Sequence, residues 1–347
     1  MTNSGGSEAK SETWVLTDGT IGMENQGLAV AEAVGLPVIT KRVRRTGPWR
    51  HLPTGLQLAI PPAVRLQHVD PKGDSLVPPW PRLIVSVGRH SVALALAVRR
   101  LSNGQTFAVH IQNPKVPLRL FDLITAPLHD ALTGENVVTT LGAPHRITAA
   151  RLAAQGGAFE RAIADLPHPR VTVLLGGNSK AFRFAADEAN TLADDLVRLH
   201  LKTGCSFLVT PSRRTGDLVT GILRERLANL PAVVWDGADP NPYFGYLALA
   251  DAVVATSDSV NMVTEAAGTG KPVYVYPLPG RSRRFARFHA EMERSGATRP
   301  FVRAEAEGLA SWRYTPINET ARIAEAIRAR LSDGDADTRN GAMGSVA

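Results

Sequence analysis

The stretch Ala250–Pro277, ADAVVATSDSVNMVTEAAGTGKPVYVYP, constrains the fold more than any other part of the chain. Ala252–Ala255 is a short apolar run between polar boundaries, as suits a strand buried on both faces. Thr256, Ser257, Asp258 and Ser259 follow, with side-chain oxygens that can accept the N–H groups left open at a helix start. Val260, Val263, Ala266 and Ala267 recur at helical spacing, and Gly268, Gly270 and Pro272 end that helix. Val273–Tyr276 is the next strand. Glu265 falls on the helix leaving a strand's carboxyl end, where open α/β sheets take their ligands. An ordinary βαβ crossover, with serines that only cap the helix, reads the same way.

The same unit recurs along the chain, each strand ending in a polar, Gly- or Pro-marked tip. In the second half, Val171–Leu175 runs into Gly176, Gly177, Asn178, Ser179 and Lys180, whose backbone N–H groups can cradle an anion beside the lysine charge. Ser206–Thr210 ends in Ser212 and Arg213, and Val233–Trp235 in Asp236, Asn241 and Tyr243. In the first half, Trp14–Thr17 leads into a turn with Asp18, Gly19, Gly22, Glu24, Asn25 and Gln26 before a helical Leu28–Val34. The spacing is not G-x-G-x-x-G, so the dinucleotide fingerprint fails. Leu83–Val87 ends in Arg89 and His90, Phe107–Ile111 in Gln112 and Asn113, Leu120–Thr125 in His129, and Val137–Leu141 in His145. In a parallel sheet these tips share one edge. The histidine spacing fits no local zinc signature, and no metal is expected. Lys41–His51 is a basic run beside Trp49 that suits either a phosphate or headgroup surface or a solvated loop.

The chain has 347 residues and is long enough for two cores of ordinary size. Net charge is +7, with 15 basic against 10 acidic residues up to position 150 and 24 against 22 beyond it. That mild excess points to an acidic ligand or an anionic membrane surface, and without aromatic-basic interleaving it does not point to nucleic acid. The single cysteine, Cys205, sits among apolar residues and reads as a buried structural thiol. No apolar run is long enough to span a bilayer and the first residues lack a secretory pattern, so a cytoplasmic, at most membrane-peripheral, protein is expected.

Taken together, TDGTIGMENQ, VGRHS, QNP, LLGGNSK, TPSRRTG, WDG…NPYFGYLALAD and SDSVNMVTEAAGTGKPVYV resemble the bacterial type of the elongated-mitochondria (mitochondrial fission) family. The opening stretch also resembles the nucleotide-sugar motif of GT-B glycosyltransferases. The resemblance implies an α/β fold of two facing Rossmann-like domains, with a C-terminal helix crossing back to the first. Domains are expected at 13–150 and 170–315, joined by a linker at 151–169, with the crossover helix at 316–331 and disorder at 1–12 and 332–347. It further implies a nucleotide-diphospho-sugar in the interdomain cleft as substrate, with no cofactor. Ser257 and Ser259 would then lie at the diphosphate and Glu265 at the ribose, with Val260 and Asn261 also binding the nucleotide and the Asp236–Tyr246 segment at the base. The tips of the first domain would face an acceptor. Asp258 departs from the motif, because a carboxylate beside a diphosphate is repulsive unless it points away.

Two functions follow from the resemblance. One is a metal-independent glycosyltransferase. Met23 replaces a histidine that the similar peptidoglycan N-acetylglucosaminyltransferase carries in its first loop, which leaves Asp18 and Glu24 as the nearest candidates for a base. The other is a non-catalytic platform that recruits a protein partner, as plant members help bring a dynamin-related GTPase to mitochondria.

Overall fold

The computed structural model describes residues 12–47, 51–67, 69–238 and 240–343. Trp49 and Arg50 of the basic run, Asp239 and the terminal stretches 1–11 and 344–347 lie outside the described residues. The chain forms two units. One runs to Arg146 and takes back the segment from Asn318, and the other is Ile147–Ile317.

The first unit is built from β1 (Thr13–Thr17), α1 (Ile21–Val34), β2 (Val38–Arg42), α2 (Thr54–Gln57), α3 (Pro62–Gln67), β3 (Leu83–Val87), α4 (Arg89–Leu101), β4 (Phe107–Ile111), β5 (Leu123–Pro127) and β6 (Val137–Thr140). Its six strands are all parallel, in the order β2-β1-β3-β4-β5-β6. A strand covered on both faces can be apolar at every position, and side chains alternate between two cores. Trp14, Leu16 and Ile84 pack with Val92, Leu94 and Val98 on one face. Val15, Val85 and Val109 pack on the other, against Val30 and Val34 of α1.

Ile147–Ile317 contains α5 (Ala149–Phe159), β7 (Arg170–Leu175), α6 (Ala186–Thr203), β8 (Ser206–Pro211), α7 (Asp217–Arg226), β9 (Ala232–Val234), α8 (Tyr243–Leu249), β10 (Ala252–Thr256), α9 (Val260–Gly268), β11 (Val273–Tyr276), α10 (Arg283–Arg294), β12 (Thr298–Pro300) and α11 (Phe301–Glu307). The sheet is again parallel, in the order β12-β11-β10-β7-β8-β9. Val173 of β7 lies opposite Val254 of β10 and Val209 of β8. Cys205 is fully buried in this core, and burial pushes its thiol pKa up. The segment expected as a linker, 151–169, belongs to this unit, with Gly156 of α5 lying close to Ala248 of α8.

The last helix, α12 (Glu319–Met343), belongs to the first unit and runs on past the position 331 expected from sequence. Ile323 and Ile327 enter the core under β1 and β3, and Thr320 exchanges hydrogen bonds of 2.9 Å with the backbone of His145.

The two units differ from the sequence reading mainly in how glycines are used. Residues 21–27, read as a turn, are the first two turns of α1. A Cβ on Gly27 would stand 2.6 Å from Val15 Cγ1 and 3.0 Å from Val87 Cγ2. Glycine is required there by helix-on-strand contact, not by a turn.

Candidate functional site

In the second unit the chain leaves β7 for β8 and β9 on one side, then returns to β10 and β11 on the other. The carboxyl ends of β7 and β10 therefore flank a topological switch point, the usual ligand position in such sheets. Asp258, 3% exposed, sits there. Its Oδ2 accepts the Gly177 N–H at 2.9 Å and pairs with Arg214 Nη2 at 2.8 Å, and its Oδ1 accepts the Thr256 hydroxyl at 2.7 Å. The Gly176 N–H donates to Thr256 Oγ1 at 2.8 Å. The two amides offered to an anion by the sequence reading are thus taken by side chains of the protein itself. The glycines are demanded by packing, since a Cβ on Gly176 would meet Asp258 Oδ1 at 2.0 Å and one on Gly177 the Arg214 carbonyl oxygen at 2.0 Å.

The rest of the first loop is also tied down. Asn178 accepts the Phe184 N–H at 2.8 Å and donates to the Phe184 carbonyl at 3.0 Å, and Ser179 Oγ accepts from Ala181 and Phe182. Phe182 forms an antiparallel bridge with Gly280, and the Arg183 N–H donates to the Pro279 carbonyl at 2.9 Å. The loops after β7 and β11 are therefore joined across the end of β10, which lies between those strands. Ser212 Oγ donates to the Gly176 carbonyl at 2.8 Å. Lys180 and Arg213 are exposed, and no ion pair is formed by either among the described residues.

Ser257 and Ser259 divide their roles. The Ser257 hydroxyl accepts the Leu278 N–H at 3.0 Å and its carbonyl lies 2.8 Å from His289 Nε2, so it joins three segments of the unit. Ser259 is the cap of α9, accepting the Met262 N–H at 3.3 Å. Val260 and Asn261 follow in the first turn of that helix, where the partial positive charge of aligned peptides gathers.

Glu265 and Tyr243 meet, although α9 and α8 place them 22 positions apart. The Tyr243 hydroxyl donates to Glu265 Oε2 at 2.5 Å, and both residues are half-buried. Burial pushes the Glu265 carboxyl up to about 7, against the lowering effect of the Tyr243 bond. Burial, then the neighbouring carboxylate charge and the bond to it, raise the Tyr243 phenol far above its ordinary range, so it stays neutral and donates. Asn241 Oδ1 accepts the Tyr243 N–H at 2.9 Å and orients the start of α8, while Asp236 closes a local turn by accepting the Ala238 N–H at 2.9 Å. A separate cavity of about 400 Å³ is lined by Asp187, Glu188, Asp195 and Glu305. Its carboxylates repel a diphosphate, and none of the candidate residues lines it.

In the first unit, the two carboxylates considered as bases are both engaged. Glu24 forms a two-pronged pair with Arg42 at 2.6 and 2.8 Å, which holds its carboxyl below the ordinary range. Asp18 Oδ1 accepts the Thr20 N–H at 2.9 Å, beside Gly19 at φ +83°. Gly22, Asn25 and Gln26 lie inside α1, and Gln26 is buried. Met23 packs against Gly88, where a Cβ would stand 2.7 Å from its sulfur. Arg89 and His90 open α4, with His90 held below its ordinary pKa by burial and by the nearby Arg89 charge. Gln112 has φ +83° and donates its N–H to Thr125, and Asn113 accepts the Lys115 N–H. His129 and His145 are buried, the first 3.8 Å from Asp130. Among the described residues, no group of three or more His, Cys, Asp or Glu side chains is placed to hold a metal ion. Nor is any described helix long and apolar enough to cross a membrane.

Two Rossmann-like units, each a six-stranded parallel sheet covered on both faces, with a last helix returned to the first, define a protein of the GT-B type. A UDP-GlcNAc 2-epimerase from Neisseria meningitidis, solved with UDP-GlcNAc bound, shares the fold. Its TM-score is 0.55 at 12% identity, over 93% of this chain and 99% of that one. The sequence profile described as Mitochondrial fission ELM1 matches residues 21–331, and the chain belongs to that family. The mitochondrial fission protein ELM1 of Arabidopsis thaliana is 35% identical over 276 residues, covering 73% of this chain and 64% of the plant protein. An uncharacterised Rickettsia prowazekii protein, RP120, is 25% identical over 92% of this chain and 98% of its own length.

Proposed function

We propose that the second unit binds a nucleotide-diphospho-sugar at the carboxyl edge of its sheet. The Glu265–Tyr243 pair carries this reading. Among the described residues, Tyr243 is the one partner of the Glu265 carboxyl, and it occupies Oε2. Oε1 is left to accept a donor, and a ribose diol supplies neutral hydroxyls that suit a carboxylate with no cation beside it. The first turn of α9, with Lys180 and Arg213, offers charge for the diphosphate. Asp258 does not oppose this, because Arg214, Gly177 and Thr256 already satisfy its charge.

Whether the sugar is then transferred is a separate matter. The Glu24–Arg42 pair favours a second reading, in which the chain is a ligand-binding platform for a protein partner and not a transferase. A base must be ready to accept a proton near neutral pH, and a carboxylate held by a guanidinium is not. Plant ELM1, by its name a mitochondrial fission protein, is consistent with a platform role. The test is calorimetry with a panel of UDP-, GDP- and ADP-sugars, combined with an assay for released nucleotide. Binding without release supports the platform, and binding with release supports transfer. Absence of binding by every nucleotide at millimolar concentration would remove the reading altogether.

A further inference from the structure

The first unit holds two arginines whose donors are not all satisfied among the described residues. Arg45 follows β2 at the carboxyl edge of the sheet, where it bridges to Val69. Its side chain is half-buried, and Nε and Nη2 are shielded from solvent with no hydrogen-bond partner among the described residues. Arg65, on α3, donates from Nη1 to the Ala93 carbonyl in α4 at 3.0 Å, while its Nε is likewise shielded and has no partner among the described residues. Burial, and after it the nearby Arg65 charge, disfavour the charged form of Arg45, burial disfavours that of Arg65, and the Arg45 charge also bears on His90. Among the described residues neither arginine forms a salt bridge with a carboxylate. Arg42 and Arg44, which precede Arg45 in sequence, are by contrast engaged, with Glu24 and with the Asp18 carbonyl.

A guanidinium carries five donors in a fixed fork and cannot give up its proton. Leaving several of those donors shielded and empty is costly, and placing a second guanidinium beside them adds repulsion. A chain retains that arrangement at low cost when an anion arrives to accept the donors. The flat fork matches an oxygen pair of phosphate or a phosphate ester. The beginning of α4 at Arg89 and His90, on the same sheet edge, adds further positive potential.

We propose that Arg45 and Arg65 form a phosphate-type oxyanion site in the first unit, distinct from the nucleotide reading of the second. The site stands on the unsatisfied donors and does not depend on Glu265. The anion is either a soluble phosphate or diphosphate, or the headgroup of a lipid.

The experiment uses the full chain and three probes: inorganic phosphate, pyrophosphate, and phosphatidylcholine vesicles with and without phosphatidic acid. Binding is measured by calorimetry and by vesicle flotation, in parallel with the thermal midpoint in phosphate-free buffer. Removing the fork by Arg45→Met weakens the responsive probe by about 10- to 100-fold, the worth of a charge-assisted hydrogen bond. Arg45→Lys restores charge but not the fork and recovers only part of that loss. Without ligand, Arg45→Met melts at or above the temperature of the unmodified chain, since an unmatched charge has been removed. A response to phosphate or pyrophosphate assigns a soluble anion, and a response confined to acidic vesicles assigns a lipid headgroup. Failure of all three probes to bind, or binding unaltered by both substitutions, overturns the site. So does a ligand-free Arg45→Met chain that melts well below the unmodified one, because the arginine is then structural.

Discussion

Replacing Glu265 by Gln separates the cost of this side chain to the fold from its use to a ligand. Its carboxyl is raised from the ordinary 4.5 to about 7 by burial. The folded unit therefore binds more protons than the unfolded chain between those values, and stability falls as pH rises through that window. Above pH 7 the loss is complete. The shift corresponds to about 3 kcal/mol at most, and to about 1–3 kcal/mol once solvent screening at a half-buried position is allowed for. Glutamine has the same shape, carries no charge, and its Oε1 still accepts the Tyr243 hydroxyl. Glu265→Gln should match the unmodified protein in urea unfolding near pH 4.5 and exceed it by that amount near pH 8. Trp235 and Trp312 report on this unit by fluorescence. At the same pH, affinity for a nucleotide sugar should fall, because a neutral amide is a weaker acceptor for the ribose hydroxyls. An equal stability difference at both pH values refutes the charge argument. Unchanged affinity removes Glu265 from the ligand site.

Two further outcomes test the frame around the site. Asp258→Ala leaves Gly177 and Thr256 without an acceptor and Arg214 without a counter-charge, and should cost the second unit about 2–4 kcal/mol in denaturant unfolding. Asp258→Asn should cost less, and a neutral result for both would deny the carboxylate its structural role. Ile327→Ala should cost the first unit about 2–5 kcal/mol if α12 is packed into the core under β1 and β3, and a loss below about 0.5 kcal/mol would mean that it is not.

The strands were the most legible part of the chain. Leu83–Val87, Phe107–Ile111 and Val273–Tyr276 form the predicted strands residue for residue. Each is an apolar run in a sheet with two covered faces, so the local pattern and the tertiary environment agree. β12 and α11 were missed, since Thr298–Pro300 is only three residues long and leaves no periodicity to count. Glycine was the systematic source of error. Read locally it signals a turn, but Gly27 lies inside α1 and is glycine because Val15 is too close for a Cβ. No local rule can see that contact.

The switch point of the second sheet was legible in position, but the wiring of the candidate residues around it was not. The motif at β10 and α9 located the switch point, and Glu265 within it and Tyr243 in the segment after β9 were both singled out for the same ligand. Their hydrogen bond was not visible, because it joins two separate strand-to-helix connections. Asp258 shows the difference most clearly. From sequence it was an intruding charge beside a glycine loop that could cradle phosphate. In the fold it is the anion for which that loop is built, held by Arg214 from the connection after β8. A diphosphate cannot use the Gly177 amide without displacing a buried carboxylate. On the proposed reading a nucleotide must instead draw on the first turn of α9 and on exposed side chains such as Lys180 and Arg213. A long lysine loses more conformational freedom on binding than a preformed amide does. If the proposed nucleotide site is correct, such contacts favour moderate, reversible affinity, which suits a platform that reports a ligand to a partner better than an enzyme that must hold a departing diphosphate through a transition state.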